Sequence, residues 1–262
     1  MEGGRSSPLR SGDAVLFIDR KDRRYLKILR AGGKVTVRGG KVECDSLIGL
    51  ADGSRVKSSM NEDFLVLRPT YADLVLHLPR QAQVIYPKDV GPILVWGDIF
   101  PGASVIEAGV GPGALTMALL RAVGSVGRVI SYDTREDHVA MARDNVARFF
   151  GDAPNWTVKL GDVYEAIEES GIDRLILDVP EPWRALDGAA RSLGAGGVFV
   201  GYVPTVLQVK SLVDALHQHP AFGVIQTFET LQRFWYVREI SIRPEHRMVA
   251  HTGFVTVARR LA

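Results

Sequence analysis

The residues with the clearest chemical potential form a glycine-rich segment, Glu107-Ala-Gly-Val-Gly-Pro-Gly113, between a predicted buried strand and a predicted helix. Glycines at such a turn let a ligand approach the backbone, because no Cβ atom intervenes. The spacing G-x-G-x-G differs from the G-x-G-x-x-G of dinucleotide-binding folds. Glu107 would also repel a pyrophosphate, whereas it suits an amino group or a sulfonium cation. The segment therefore favours a cationic ligand and disfavours a nicotinamide dehydrogenase.

Two more carboxylates, Asp133 and Asp162, follow the next two predicted strands. In an open α/β sheet, ligands bind at the carboxyl ends of the strands, and an acid after the second strand can accept both hydroxyls of a ribose. Asp162 is placed to reach an adenine amino group. One interpretation is that each acid only caps the helix that follows it. Three carboxylates beside a glycine turn, without a phosphate site, instead indicate S-adenosylmethionine, a nucleoside that carries a sulfonium.

An alternation of strands and helices positions these residues. Apolar positions at i, i+3 and i+4 predict helices over 114–123, 136–150 and 205–218. Such an alternation implies a parallel sheet with helices on both faces. The last two strands have no helix between them, which predicts an antiparallel pair. The seven predicted strands cover 104–110, 128–133, 156–160, 173–179, 197–203, 223–230 and 253–260.

The segment before this alternation has a different character. Short β-rich runs at 14–19 and 24–29 are followed by Gly-Gly and Asp-Gly pairs, which favour hairpin turns. We also expect helices at 71–78 and from Pro87 onward. The predicted fold class is therefore α/β, with a small all-β domain over residues 1–68 and a Rossmann-like seven-stranded domain over residues 69–262.

Composition narrows the class of protein further. The chain has 262 residues and a single cysteine, Cys44, which excludes an intrachain disulfide framework and a Cys-pair zinc site. The histidines show no metal-ligand spacing, so no metal is expected. No apolar run approaches the 18 or so residues that cross a bilayer, and the first twelve residues lack the apolar core of a secretory signal. We therefore expect a cytoplasmic protein.

The net charge of +2 conceals an uneven distribution. Residues 1–41 carry eleven Lys or Arg against four acids, a surplus of seven, whereas the other 221 residues have a deficit of five. Such asymmetry is typical of a polyanion-binding end, although a solvated face of a small domain would have the same composition.

Two motifs resemble those of class I S-adenosylmethionine-dependent methyltransferases: EAGVGPGALT (107–116) and SYD (131–133). Four longer segments are similar to the tRNA (adenine-N1)-methyltransferase family, which modifies position 58 of the T-loop. They are FLVLRPTYADLVLHLPR (64–80), QVIYPKDVGPIL (83–94), LDVPEPW (177–183) and RPEHRMVAHTGFVTVARR (243–260). The similarity covers nearly the whole chain, including the β-rich N-terminal part.

The resemblance implies that the protein transfers a methyl group from S-adenosylmethionine to N1 of a T-loop adenine in tRNA; it leaves open whether adenine 57 is modified as well as 58. Two departures concern the expected cofactor contacts: Val110 and Pro112 replace a Thr and a Ser in the glycine turn, and Asp133 replaces a Glu after the second strand. The expected cofactor-binding residues are Glu107, Gly109, Val110, Gly111, Pro112, Gly113, Ala114, Leu115, Asp133, His138, Asp162 and Val163.

The same resemblance assigns a catalytic acid to Asp178 and an active-site tyrosine to Tyr86. Trp183 is a candidate face for the extruded adenine, although packing against the start of the next helix is the favoured interpretation. Four basic residues on one predicted turn are candidates for phosphate contacts with tRNA: Arg20, Lys21, Arg23 and Arg24.

Two alternatives remain at this stage: another S-adenosylmethionine-dependent methyltransferase, or a non-catalytic tRNA-binding subunit. Members of the family assemble as homotetramers, and we expect the same here. Apolar residues near the C-terminus could form that interface: Phe234, Trp235, Tyr236 and Met248.

Overall fold

The computed structural model describes residues 7–78 and 83–262. Glu2 and Arg5 of the N-terminal charge surplus, and residues 79–82 of the predicted motifs, lie outside the described residues. The chain divides into two compact units. The first comprises Met1–Leu78 with Ala147–Asp152, and the second comprises Pro79–Val146 with Ala153–Ala262.

The first unit is built on antiparallel strands. They are β1 Ala14–Asp19, β2 Arg24–Ile28, β3 Lys34–Val37, β4 Gly40–Glu43, β5 Ser54–Lys57 and β6 Asp63–Leu67. Four of them form a sheet in the order β2-β1-β6-β5, and β3 pairs with β4. Phe17 and Phe64 fill the core edge to face, with ring centroids 6.1 Å apart. The small β-rich region predicted from the hairpin signals is therefore present.

A short helix, α1 (Tyr71–His77), follows β6 in this unit. Thr70 and Asp73 form a capping box, in which each side chain bonds to the backbone N–H of the other. Two of the donors at the start of the helix are thereby satisfied, which explains where α1 begins.

The second unit contains a seven-stranded sheet. Its strands are β7 Ser104–Ala108, β8 Arg128–Asp133, β9 Trp156–Leu160, β10 Ile172–Leu177, β11 Leu193–Val203, β12 Phe222–Glu229 and β15 Phe254–Arg260. Their order in the sheet is β12-β15-β11-β10-β7-β8-β9. Its helices are α2 Pro87–Trp96, α3 Ala114–Val123, α4 Glu136–Phe149, α5 Leu186–Ser192 and α6 Val206–Gln218. Within the described residues, no helix is both long and apolar enough to cross a membrane.

The sheet is parallel except at β15, which runs antiparallel to both β11 and β12. The antiparallel pair predicted for the last two strands is thus confirmed, with β15 inside the sheet and β12 at its edge. The connection between them contains a hairpin that the sequence pattern did not predict, β13 (Trp235–Arg238) with β14 (Ser241–Pro244). Its apolar side chains are exposed to solvent. A pattern in which apolar residues mark the buried face of a strand therefore does not apply to it.

Buried residues of the sheet, among them Ile106, Leu175 and Phe199, form the main core of this unit. The parallel strands β7, β8, β9 and β10 all end at one edge. The residues that follow these strands are therefore neighbours in space although they are far apart in sequence.

Candidate cofactor and substrate site

The glycine turn after β7 can be formed only by glycine at its first position. Gly109 has φ +87°, and a Cβ atom there would lie 2.1 Å from the backbone oxygen of Asp178. Gly113, with φ +79°, is the N-cap of α3, and a Cβ atom there would lie 3.3 Å from the Cα of Ala142. Both positions need the left-handed backbone that other residues rarely adopt. The turn therefore lies directly against the end of β10.

A pocket of about 380 Å³ opens at this edge of the sheet. It brings together seven of the residues that the sequence analysis selected: Gly109, Gly111, Asp133, His138, Asp162, Val163 and Asp178. The wall also contains residues that the sequence analysis missed: Gln83, Ala108, Tyr132, Thr134, Arg135, Gly161, Tyr164, Val179 and Pro180. Most of these residues lie within two positions of a strand end. Their closeness in sequence to Gly109, Asp133, Asp162 and Asp178 could therefore have predicted them.

Asp133 organises the centre of the pocket. Its Oδ2 accepts a hydrogen bond from the N–H of Gly111 at 3.1 Å and lies 3.2 Å from Nδ1 of His138. Its Oδ1 accepts from the N–H of Arg135 at 3.0 Å. Among the described residues, Nε2 of His138 has no hydrogen-bond partner although it is buried. This side of the pocket therefore holds an acid and an unsatisfied ring nitrogen.

Glu107 lies behind the pocket wall and is almost fully buried. Its Oε2 accepts hydrogen bonds from Thr116 and Ser131, both at 2.7 Å, whereas Oε1 has no partner among the described residues. Burial raises the pKa of Glu107 to about 7; its two hydroxyl partners oppose this, and the charges of Asp178 and Asp133 add to it. A buried acceptor without a partner is rare, and here it suits a ligand that brings a donor or a cation.

Asp178 follows β10, and its N–H donates to the oxygen of Ala108 at 2.8 Å. Desolvation by the surrounding protein raises the pKa of the Asp178 carboxyl to about 7, and the negative charge of Asp133 raises it further. Asp178 also lines a second cavity, of about 530 Å³, together with Tyr86, Tyr202 and His251. Asp178 and Gln83 are the residues shared by the two cavity walls.

The carboxylates fit a nucleoside that carries a positive charge. Asp133, Asp162 and Asp178 line one pocket. Glu107 does not line it, but its buried carboxyl lies nearby and, when ionised, attracts a cation bound there. No cluster of ligating side chains suitable for a metal ion occurs in the described part of the chain. These donors and acceptors thus match the S-adenosylmethionine expected from the sequence.

Several predicted cofactor residues do not line the pocket. Val110 packs in a buried cluster with Val139, Ala142 and Val158, and the oxygen of Pro112 accepts a bond from Nδ2 of Asn145 at 2.9 Å. Gly113, Ala114 and Leu115 are buried at the start of α3. Their direct contact with the cofactor stays a prediction. In place of the two family hydroxyls, the turn is held by apolar packing and by Asn145.

Tyr86 and Trp183 have different surroundings. Tyr86 is the N-cap of α2 and is half-buried in the wall of the second cavity. Trp183 is partly buried against the main core and belongs to neither cavity wall. The role of Trp183 as a face for the adenine therefore stays a prediction, and its packing matches the alternative weighed with it.

Three of the four basic candidates for tRNA contacts are engaged in ion pairs. Arg20 pairs with Asp63, and Arg23 pairs with Asp19 at 2.6 Å. Arg24 pairs with Asp73 at 2.6 Å. Lys21 is exposed on the same turn. Charge counting along the sequence could not reveal these partners, because Asp63 and Asp73 lie more than 40 residues away.

The strand order and the glycine turn at the carboxyl edge define a Rossmann-like fold of the methyltransferase class. Two family models match the chain: the tRNA methyltransferase complex GCD14 subunit over residues 64–252, and the TrmI-like N-terminal region over residues 8–56. The chain belongs to the family of the tRNA methyltransferase complex GCD14 subunit. The resemblance drawn from the motifs is thereby confirmed.

Individual relatives match almost the whole chain. The tRNA (adenine(58)-N(1))-methyltransferase TrmI of Thermus thermophilus is 39% identical over 247 residues, covering 94% of this chain and 96% of the relative. The tRNA (adenine(57)-N(1)/adenine(58)-N(1))-methyltransferase TrmI of Methanocaldococcus jannaschii is 34% identical and covers 93% and 94%. The crystal structure of a SAM-dependent O-methyltransferase from Thermotoga maritima superimposes with TM-score 0.93 at 32% identity, covering 98% and 96%.

Proposed function

We propose that this chain transfers a methyl group from S-adenosylmethionine to N1 of an adenine in the T-loop of tRNA, at position 58. The observation that carries the proposal is the place of Asp178 in the walls of both cavities. One cavity has the carboxylates that suit a cationic nucleoside. The other has the aromatic side chains of Tyr86 and Tyr202, which suit a base. Asp178 is thus available to both reactants.

S-adenosylmethionine supplies the electrophilic methyl group, on a sulfonium that needs no acid catalyst. The protein's task is to bind and orient the reactants and to exclude water. Asp133 and Asp162 provide acceptors for ribose hydroxyls and an adenine amino group. Glu107, buried behind the pocket wall, attracts the cationic end through its charge when its carboxyl is ionised.

Asp178 has a defined role in the transfer. Adenine N1 carries its own lone pair, so no proton has to leave before attack. Positive charge then develops on the ring, and a carboxylate that accepts a hydrogen bond from the exocyclic amine stabilises it. The same carboxylate can take up a proton as the product forms. Because Asp178 is half-buried, this stabilisation is stronger than it would be in water.

Tyr86 has a supporting role. The target adenine must leave its stack, which costs a few kcal/mol. Stacking on an aromatic ring returns about 1–3 kcal/mol. Tyr86, half-buried beside Asp178 in the second cavity, is suited to provide that ring.

The decisive experiment is nucleoside mass spectrometry of unmodified tRNA after treatment with the wild-type protein and Asp178→Ala. We expect 1-methyladenosine from the wild type and a rate about 10²–10⁴-fold lower from the variant. Asp187→Ala is the matched control, because Asp187 is an exposed aspartate outside both cavities. A wild-type protein that binds S-adenosylmethionine but makes no 1-methyladenosine would contradict the proposal.

The same experiment distinguishes the alternatives. Detection of a ribose-methylated nucleoside would indicate an O-methyltransferase. Retention of tRNA binding without any methyl transfer would indicate a non-catalytic subunit. Mapping the product by nuclease digestion shows whether adenine 57 is modified in addition to 58.

We assign tRNA contact to residues 1–68 and catalysis to residues 69–262, and we place the protein in the cytoplasm with its substrate.

We also propose a homotetramer. The exposed apolar side chains of the β13–β14 hairpin support this: Phe234, Trp235, Val237, Ile240 and Ile242 are each at least 56% exposed. Light scattering tests the assembly, and a monomer would reject it. Ile240→Glu should weaken the assembly if the hairpin forms the interface.

A further inference from the structure

His251 stands in the wall of the second cavity with an acceptor at each ring nitrogen. Its Nδ1 lies 3.0 Å from Oε2 of Glu229, and its Nε2 lies 2.7 Å from the backbone oxygen of Pro204. An ionised carboxylate and a peptide oxygen only accept hydrogen bonds, whereas a neutral imidazole donates from one nitrogen alone. Both contacts are therefore hydrogen bonds only when His251 is an imidazolium.

These two bonds join three strands of the sheet. Glu229 ends β12, Pro204 follows β11, and His251 precedes β15. The next residue, Thr252, donates to Oδ2 of Asp89 at 2.5 Å. Pro204, His251 and Thr252 all line the cavity. The imidazole thus holds this part of the cavity wall in place. Loss of either of its hydrogen bonds would change the shape of the wall.

The charged groups around His251 favour its protonated form. The oxygen of Pro204 and then the carboxylate of Glu229 raise the pKa of His251, whereas burial and the positive charge of Lys88 on α2 oppose the rise. From β15, the ring of Phe254 packs against the imidazole with centroids 4.7 Å apart. Across the cavity, Asp178 adds a further acid to the wall.

We propose that His251, as an imidazolium, is a positioning residue that clasps Glu229 to Pro204 and holds the wall of the cavity for the target adenine. The part concerning adenine rests on the function proposed above. When the proton leaves, the ring keeps one donor, and one of the two contacts is lost. The clasp is therefore complete below about pH 6.5, the ordinary pKa of histidine, and is lost as pH rises through the elevated pKa.

The first test observes the proton itself. Nuclear magnetic resonance follows the histidine ring signals of the full chain against pH, with His251→Gln to assign His251. We expect His251 to titrate above the ordinary histidine value, and Glu229→Gln to lower its midpoint. His219 is an internal control: it has Asp187 as acceptor at Nε2 and receives a bond from the N–H of Ala221 at Nδ1, so a neutral ring satisfies both. The Glu229→Gln change should leave the His219 signal unchanged.

The second test measures what the clasp does. At about pH 6 we expect His251→Gln to raise the KM for tRNA about two- to fivefold, the effect of losing a solvent-exposed ion pair. The KM for S-adenosylmethionine should stay the same. The difference between variant and wild type should shrink as pH rises, because the wild type then loses its own clasp.

The outcomes separate the inference from the function on which it rests. A His251 midpoint at or below the ordinary value, unchanged by Glu229→Gln, overturns the inference. A KM deficit of equal size at every pH also overturns it, because a ring that only packs would behave in that way. If the wild type methylates no adenine, the proposed function fails and the titration alone decides on the clasp. If His251→Gln does not fold, Glu229→Gln serves in the kinetic test, because it keeps the ring and its packing on Phe254.

Discussion

The backbone of Asp178 lies so close to Gly109 that a Cβ atom on Gly109 would be 2.1 Å from the Asp178 oxygen. This contact ties the glycine turn after β7 to the acid after β10. The position of the acid and the shape of the glycine turn are therefore set together, and neither can shift alone.

Gly109→Ala should lose stability and methyl transfer together. Its φ of +87° costs a non-glycine residue about 1–2 kcal/mol, and the clash with Asp178 adds to that cost. Thermal unfolding and initial rates measure both effects. Gly111→Ala is the control for stability, because Gly111 also has a positive φ but has open space around its Cβ position. Equal losses of stability in the two variants would show that the contact with Asp178 is not the cause.

Cofactor binding should release protons near neutral pH. The pKa values of Glu107 and Asp178 are both raised to about 7, so these carboxyls are largely protonated at about pH 6 and ionised at about pH 9. A cation bound beside them favours the ionised forms and expels protons at the lower pH only. Calorimetry in buffers of different ionisation enthalpy measures the release.

Glu107→Gln should reduce that proton release, whereas Asp187→Asn, at an exposed site, should leave it intact. A binding enthalpy that is independent of the buffer at about pH 6 would show that the two carboxyls do not sense the ligand.

Single substitutions in the ion pair between Lys88 and Asp89 should destabilise the protein more than the double substitution does. Nζ of Lys88 lies 2.8 Å from Oδ1 of Asp89, and both side chains are at most 4% exposed. Lys88→Met or Asp89→Leu alone leaves one buried charge unpaired, which costs about 3–5 kcal/mol of unfolding free energy. The double variant should recover part of this loss in urea unfolding. The recovery is incomplete because the hydroxyls of Tyr202 and Thr252 lose their acceptor on Asp89, and the oxygen of Thr230 loses its donor on Lys88.

The exposed pair between Lys210 and Asp214 provides the comparison. Lys210→Met should change stability by about 0.5 kcal/mol or less. A double variant of Lys88 and Asp89 that is as unstable as the sum of the single ones would indicate that lost packing, and not the unpaired charge, dominates.

Asn145→Ala should weaken both the fold and the cofactor turn. Asn145 is buried, and its amide donates to the oxygen of Pro112. Removing the donor leaves that oxygen without this bond, at a cost of about 1–3 kcal/mol. We expect a lower affinity for S-adenosylmethionine in calorimetry. Asn155→Ala is the control: it removes bonds to Gly124 and Gly127, away from the pocket, so it should cost stability without loss of affinity.

Lys21→Ala should weaken tRNA binding and reduce the slope of log affinity against log salt by about one, the effect of one lost phosphate contact. Arg20→Ala and Arg24→Ala should have smaller effects, since these side chains already pair with Asp63 and Asp73. Filter binding at several salt concentrations measures the slopes. Lys210→Ala serves as the control in the second unit. If charge reversal of all four basic residues leaves the affinity unchanged, this face is only solvated.

Most elements around the site could be predicted from local patterns. The helix 114–123 and the strands 128–133 and 156–160 have the predicted bounds, because apolar periodicity and flanking glycines mark their ends. The rule that ligands bind at the carboxyl ends of parallel strands led to Gly109, Asp133 and Asp162 without knowledge of the pairing. Asp178 was predicted from the family resemblance. Such patterns depend on residues within about four positions of each other.

The rest depends on contacts between distant segments. The bond from Thr252 to Asp89 spans 163 residues, and that from Asn145 to Pro112 spans 33. No periodicity records such pairs. The hairpin β13–β14 was missed for a different reason. Its apolar residues face solvent, so they do not mark a buried face that a sequence pattern could reveal.

The position of β15 between β11 and β12 has a consequence for synthesis. A ribosome makes β11 and β12 first, and each has an unpaired edge until Phe254–Arg260 has left the exit tunnel. Open strand edges are sites for pairing with other chains. The nascent second unit therefore has to wait for this late strand before its sheet can close, and during that interval its open edges are exposed to aggregation.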